Sequence, residues 1–114
     1  MFKKSIAMVG LVTSAAFMTG CGPSDDGITS NSTGSEIFEQ VCSACHNGGV
    51  MGFVTSAPAI GDKEAWVALE SKGIDSMTQL SIQGFNKMPA KGDCGKCSDE
   101  QIKSAVEYMV EQSK

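Results

Sequence analysis

Two pairs of cysteines, each with two residues between its members, constrain this chain more than any other feature of its sequence. Cys42 and Cys45 form the first pair, Cys94 and Cys97 form the second, and the fifth cysteine, Cys21, stands alone. Cysteines at this spacing are typical of metal sites, redox dithiols and covalent cofactor sites. The fold is therefore expected to hold these thiols in fixed positions.

The first pair is followed directly by a histidine. The segment Cys42-Ser43-Ala44-Cys45-His46 matches C-x-x-C-H, the attachment signature of c-type haem. Two cysteines three residues apart on a helix project from one face and can reach the two vinyl groups on one edge of the macrocycle, while the adjacent imidazole can bind the iron. His46 is the only histidine in the chain. The pattern predicts one haem, covalently attached at Cys42 and Cys45, with His46 as an iron ligand.

Three other interpretations of the cysteine pairs remain open at this point. A zinc site would use both pairs, but they are farther apart than in structural zinc ribbons, and His46 would have no role. A thioredoxin-like dithiol follows a strand, and no strand pattern precedes Cys42. Two structural disulfides would leave the position of the single histidine to chance.

A single histidine means that the second axial ligand must be another residue type, and methionine is the usual alternative. Met88 lies in an irregular segment and is followed by Pro89, which restricts the Met88 backbone to extended conformations. Met51 lies close behind the haem motif, and Met77 and Met109 fit apolar helix faces. Met88 is therefore the predicted ligand; the alternative is a loop methionine that only covers the haem edge.

The N-terminal part of the chain is predicted to direct export and to tether the domain. Residues 1–20 carry two lysines, Lys3 and Lys4, near their start and continue with a short uncharged apolar stretch, which is typical of a signal peptide. The small residues before Cys21 resemble the lipobox of bacterial lipoproteins, in which the cysteine is lipidated and becomes the first mature residue. The alternative is ordinary cleavage that leaves a free thiol. Residues 21–34 are mostly Gly, Ser, Thr, Asn and Asp and predict a flexible linker.

The charge of the exported chain restricts its partners. Loss of Lys3 and Lys4 leaves seven of the nine lysines against thirteen acidic residues, a formal charge of −6. Such a surface argues against nucleic acid and fits a protein partner with a basic docking face. Gly22 replaces the Asp that retains lipoproteins at the inner membrane under the enterobacterial rule, so the periplasmic face of the outer membrane is slightly favoured.

Helical periodicity without any strand pattern predicts an all-α domain over residues 35–114. Thr33 and Glu36 form a capping-box pattern at its start, and the last helix carries an apolar stripe. Trp66 and Tyr108 are predicted to be core residues; the alternative is contact of their polar tips with a haem propionate. The predicted helix starts are Thr33 or Ser35, Asp62, Asp75 and Ser98, and the predicted loops are residues 50–61 and 85–97.

Residues 35–114 resemble a class I c-type cytochrome, and more closely the cytochrome c-5 group of short bacterial monohaem cytochromes. The resemblance rests on Phe38 ahead of the haem motif, on the late cysteine pair before the last helix, and on two further segments. These segments are Ala57-Pro58-Ala59-Ile60-Gly61-Asp62 and Lys87-Met88-Pro89-Ala90-Lys91-Gly92.

The resemblance implies a cytochrome c fold of about four short helices packed around one haem, with the first and last helices crossing. It implies His46 and Met88 as the axial ligands, with a hydrogen bond from His46 to the carbonyl of Pro58. It also implies that the late cysteine pair is a disulfide. The bonded residues in that case are Cys94 and Cys97.

The ligand set and the resemblance together predict one-electron transfer between exported redox proteins of a respiratory chain. A haem with both axial positions filled has no open site for substrate, and a His/Met pair favours a raised potential. No catalytic residue is predicted. A small peroxidase, which needs an open iron position and acid/base groups, and a gas sensor, which needs a displaceable Met88, remain the alternative hypotheses.

Overall fold

The computed structural model describes residues 26–114, and these form an all-α domain of five helices and one short 3-10 turn, Ala90–Asp93. The first helix, α1, runs without interruption through three segments. The bounds are Gly34–Ile37, π-helical Phe38–Cys42 and Ser43–His46 for α1, Val50–Thr55 for α2, Lys63–Glu70 for α3, Ile74–Gln83 for α4 and Asp99–Glu111 for α5. Within residues 26–114 there is no strand, and no helix is long and apolar enough to cross a membrane. The predicted signal peptide and Cys21 lie outside the described residues.

The first and last helices begin where side chains satisfy their free backbone donors. The Thr33 hydroxyl accepts from the backbone N–H of Glu36, and the Glu36 carboxylate accepts from the backbone N–H of Thr33, 2.7 Å away. Ser98 and Gln101 make the same reciprocal pair at the start of α5, at 3.0 and 3.1 Å. These capping boxes confirm the helix starts predicted at Thr33 and Ser98.

Helices α1 and α5 cross at very close range, and their contact is the centre of the core. Ile37 is fully buried at the crossing, and the Phe38 ring lies 5.6 Å from that of Tyr108. Gly34 meets the α5 backbone directly: a Cβ there would lie 2.6 Å from the carbonyl carbon of Ser104 and closer still to its oxygen. The absence of a side chain at Gly34 therefore sets how closely the two helices approach.

Helix α2 occupies part of the segment predicted to be a loop over residues 50–61. Its residues show no helical stripe, because apolar side chains lie on most of its circumference. Gly52 faces the carbonyl of Cys45, and the helix ends at Ser56 in the left-handed conformation, with φ 59°. Four apolar side chains of α2 are more than half exposed: Val50, Met51, Phe53 and Val54. The sequence of such a helix has no apolar pattern with helical period, and the helix is therefore not predicted from it.

The packed part of the described chain begins earlier than residue 35. Ile28 is 7% exposed and belongs to the hydrophobic core. The Thr29 carbonyl accepts from the side-chain amide of Gln101 at 2.7 Å, and Lys96 lies 3.6 Å from Asp26. Composition favoured a linker here because the segment holds a single apolar residue. That residue is nevertheless packed in the core, and the hydrogen bond at Thr29 joins the segment to α5.

Candidate functional site

The last two segments of α1 bring two thiols and the imidazole together. Cys42 ends the π-helical turn, and Cys45 and His46 follow in the next turn. Such widened turns often occur at functional sites. Cys42 and Cys45 are partly buried and are not joined in a disulfide, so both thiols are available for bonds to another group. This arrangement argues against a pair of purely structural disulfides.

The environment of Cys42 is unlike that of a redox dithiol. Burial raises the pKa of the Cys42 thiol to about 11, and the neighbouring Cys45 adds to the rise. Catalytic dithiols instead have a lowered pKa, because the thiolate is the reactive form. No strand precedes Cys42 among the described residues, so a thioredoxin-like dithiol is disfavoured.

The zinc interpretation also lacks support in the described part of the chain. Residues 26–114 contain no group of three or more His, Cys, Asp or Glu side chains placed to hold a metal ion. The second cysteine pair is closed in a disulfide between Cys94 and Cys97, both of which are buried. Its thiols therefore cannot complete a four-ligand site with Cys42 and Cys45.

His46 is held in one tautomer. Its ring is 8% exposed, and Nδ1 lies 2.8 Å from the carbonyl oxygen of Pro58. A carbonyl can only accept, so Nδ1 carries the proton, and in the neutral ring Nε2 keeps its lone pair. Within residues 26–114 the ring has no other hydrogen bond. Nε2 is therefore available to bind a metal ion.

Hydrogen bonds from two backbone N–H groups fix the loop after α2. The Ile60 N–H donates to the carbonyl of His46 at 2.7 Å, and the Gly61 N–H donates to the Ser113 hydroxyl at 2.8 Å. Ser113 is 3% exposed and donates in turn to the carbonyl of Met109 at 2.7 Å. The end of α5 thus holds the loop that orients the His46 ring.

Trp66 supports the same loop from α3. Its indole Nε1–H donates to the carbonyl of Ala59 at 2.7 Å, and its ring centre lies 6.3 Å from that of His46. The side chain is 4% exposed. The indole N–H of Trp66 therefore has its hydrogen-bond partner inside the protein, in agreement with the predicted core role.

Trp66→Phe is expected to lower the free energy of unfolding by about 1 kcal/mol, because the Ala59 carbonyl loses the indole donor and keeps only the Asp62 N–H. Thermal or denaturant unfolding, followed by circular dichroism, measures the change. Val67→Ala is the control, since the neighbouring Val67 is 55% exposed and its truncation should have little effect. Equal stability of the two variants would contradict the role given to the indole.

Met88 sits at the end of a tight backbone turn. The Met88 N–H donates to the carbonyl of Phe85 at 2.9 Å, and the Phe85 N–H donates to the carbonyl of Met88 at 3.0 Å. Gly84 enters the turn with φ 86°, and a Cβ there would lie 3.0 Å from the Ala90 nitrogen. With Pro89 behind it, Met88 has its backbone fixed on both sides, while its half-buried side chain remains available.

The donor set fits a c-type haem. Helix α1 carries two unbonded thiols and an imidazole with a free Nε2. The thioether of Met88 projects from a fixed turn. Sequence reasoning did not identify Ser113 or the contact between Trp66 and Ala59. No pattern marks either one, because each links segments that are distant in the chain.

Comparison with known proteins gives concordant matches. Residues 29–109 match the family model described as cytochrome c oxidase, cbb3-type, subunit III. The chain is 40% identical over 85 residues to cytochrome c-555 of Chlorobaculum tepidum, covering 71% of this chain and 75% of that protein. It is 41% identical over 76 residues to cytochrome c5 of Ectopseudomonas mendocina, covering 65% and 83%.

A solved structure matches the fold. It is a chain from the crystal structure of an electron transfer complex of nitrite reductase with cytochrome c, with a TM-score of 0.64 and 28% identity. The match covers 71% of the present chain and 94% of the other.

Proposed function

This chain belongs to the class I c-type cytochromes, small electron carriers with one covalently bound haem, and on that basis we propose the residues that hold its haem and the partners that it serves. Cys42 and Cys45 would form the thioether bonds to the haem, and His46, through Nε2, and Met88 would bind its iron. The haem supplies one-electron oxidation and reduction. The chain holds both ligands in place, so that little rearrangement accompanies the change of charge.

The observation that carries this proposal is the hydrogen bond between His46 Nδ1 and the Pro58 carbonyl. It selects the tautomer that leaves Nε2 free and restrains rotation of the ring. Partners of this kind orient metal-bound histidines and raise their basicity. The contacts of Ile60, Gly61 and Trp66 hold the carbonyl itself in position.

Two properties of Met88 support it as the sixth ligand. Its backbone is fixed by the turn with Phe85, and its thioether is not sequestered in the apolar core that contains Met77 and Met109. A thioether that fills the sixth position leaves no open site for peroxide or a gas. The electron carrier is therefore favoured over the peroxidase and the sensor.

An absorption spectrum of the exported protein tests the proposal. Cells that attach c-type haem should yield a coloured protein whose colour stays with the chain after acid-solvent extraction. The oxidised form should be low-spin and show a Met–iron charge-transfer band. Covalent haem in a high-spin state would contradict Met88 ligation and favour the enzyme or the sensor. Absence of covalent haem would overturn the assignment of Cys42 and Cys45.

We further propose that residues 1–20 direct export, that Cys21 carries the lipid, and that the haem domain works at the periplasmic face of a membrane, with the outer membrane favoured. The motif before Cys21 supports the lipid, Gly22 slightly favours the outer membrane, and the formal charge of −6 of the exported chain supports the partner named next. The partners would be redox proteins of a respiratory chain with a basic docking face. Labelling with a radioactive fatty acid tests the lipid: Cys21→Ala should abolish incorporation, and equal labelling of that variant would refute it.

A further inference from the structure

One lysine lies in the Met88 turn and another follows it, and each is bound to a different part of the domain. Lys87 Nζ donates to the carbonyl of Val54 at 2.8 Å, at the carboxyl end of α2. Lys91 Nζ donates to the carbonyl of Cys97 at 2.9 Å and lies 2.8 Å from Asp99 Oδ1. The turn is therefore linked to α2 on one side and to the start of α5 on the other.

The Lys91 contact is the stronger of the two. The Lys91 side chain is 29% exposed, and its ammonium group has both a carbonyl and a carboxylate as partners. Lys87 is exposed and has a carbonyl alone. Both lysines donate charge-assisted hydrogen bonds, but only Lys91 has an ionised carboxylate as a second partner, and its partial burial protects these contacts from screening by water. The restraint on the turn therefore comes mainly from Lys91.

The backbone around Lys91 aims this side chain at α5. Lys91 and Gly92 both have left-handed backbones, with φ 56° and 61°, and the Gly92 N–H donates to the carbonyl of Pro89 at 3.0 Å. A left-handed backbone at a lysine costs free energy and persists only where other contacts compensate. The two partners of the ammonium group supply such contacts.

The position of Lys91 connects the two sides of the haem site. Asp99 is the first residue of α5, and α5 crosses α1, which carries His46. Lys91 follows Met88 by three residues, with the rigid Pro89 between them. Its ion pair thus fixes the segment that carries the thioether relative to the helix that carries the imidazole.

We propose that Lys91 is a positioning residue for Met88: its contacts with Cys97 and Asp99 hold the turn so that the thioether stays on the iron against competing ligands. The inference rests on the proposed ligation by Met88. A thioether is a neutral and readily displaced ligand, so its retention depends on how little the chain allows it to move. Loss of the Lys91 contacts lets the turn move away and opens the sixth position.

Imidazole titration of the oxidised holoprotein tests this role, with loss of the Met–iron band as the readout. Lys91→Gln removes the charge and should raise the apparent affinity for imidazole about five- to tenfold, the effect of losing one charge-assisted contact. Asp99→Asn removes the ion pair but leaves the Cys97 carbonyl as a partner, and it should give a smaller rise.

Lys103→Gln is the matched control. Lys103 forms an ion pair with Asp75 at the same 2.8 Å separation, but that pair joins α5 to α4, away from the Met88 turn. Thermal unfolding of all variants separates a local from a global effect. Equal imidazole affinity in the wild type, Lys91→Gln and Asp99→Asn would overturn the inference, whatever their stabilities. If Lys91→Gln does not fold, Asp99→Asn alone decides it. A wild type without the Met–iron band would instead overturn the proposed ligation.

Discussion

Met88→Ala is expected to remove the Met–iron charge-transfer band and to lower the midpoint potential by roughly 0.2–0.3 V, within the span of about 0.8 V that axial ligands produce in haem proteins. The thioether is a soft donor that stabilises reduced iron, and its loss leaves the sixth position to water or a harder ligand. Spectroelectrochemical titration of the purified holoprotein measures both quantities in one experiment. The protein should still carry covalent haem, because Cys42, Cys45 and His46 are unchanged.

Met51→Ala is the control for this experiment. Met51 lies closer to the haem motif in sequence and is 52% exposed, so it is the competing methionine outside the core. Its replacement should leave the band and the potential unchanged. A band that persists in Met88→Ala and disappears in Met51→Ala would transfer the ligand role to α2. A band retained in both would exclude both residues as ligands.

Gly34→Ala is expected to destabilise the domain by about 2 kcal/mol, in the range found for overpacked cores. For a domain of this size the melting temperature should fall by about 10 °C. Helix propensity alone predicts the opposite sign, since alanine is favoured over glycine by about 1 kcal/mol within a helix. Here the added Cβ would meet the backbone of Ser104 and the nitrogen of Ala105, 3.1 Å away. Backbone cannot rotate aside, so we expect the steric effect to dominate.

Gly49→Ala is the control for the steric effect, because the nearest neighbours of an added Cβ there belong to a side chain and not to backbone. Gly49 precedes α2 with φ −80°, and a Cβ there would lie 3.0 Å from Asn47 Oδ1. That oxygen accepts from the Gly49 N–H at 2.8 Å and, at the end of a side chain, can shift by a few tenths of an ångström. Thermal unfolding should show little change for this variant. Wild-type stability in Gly34→Ala would mean that α1 and α5 can separate without loss, which would contradict the close crossing as a determinant of the fold.

The parts of the structure that sequence predicts well are those governed by local chemistry. The capping boxes at Thr33 and Ser98 and the apolar stripe of α5 follow from residues within one or two turns of each other. The first and last helices, and hence the all-α fold, could therefore be predicted. Helix α2 could not, because Val50 and Phe53 are 78% and 88% exposed, and no solvent-facing polar residues alternate with them.

In the candidate site, too, local patterns could be predicted from the sequence and long-range contacts could not. The motif that ends in His46 and the proline after Met88 are local patterns, and both were visible in the sequence. The contacts that hold these residues join distant segments: Ser113 is 52 residues from Gly61, and Lys87 is 33 residues from Val54. Nothing in a single sequence marks such pairs, because their chemistry is that of common polar residues until the fold brings them together.

Because Ile28 is packed in the core, the proposed flexible tether between the lipid and the domain ends before residue 28. Ile28 is seven residues after Cys21. At about 3.3–3.6 Å for each extended residue, the tether spans at most about 25 Å. A lipidated form would therefore confine its haem domain to a thin layer above the bilayer. Confinement of this kind raises the effective concentration that a partner in the same membrane meets. The docking of one isoleucine would thus favour membrane-bound partners over those that diffuse freely.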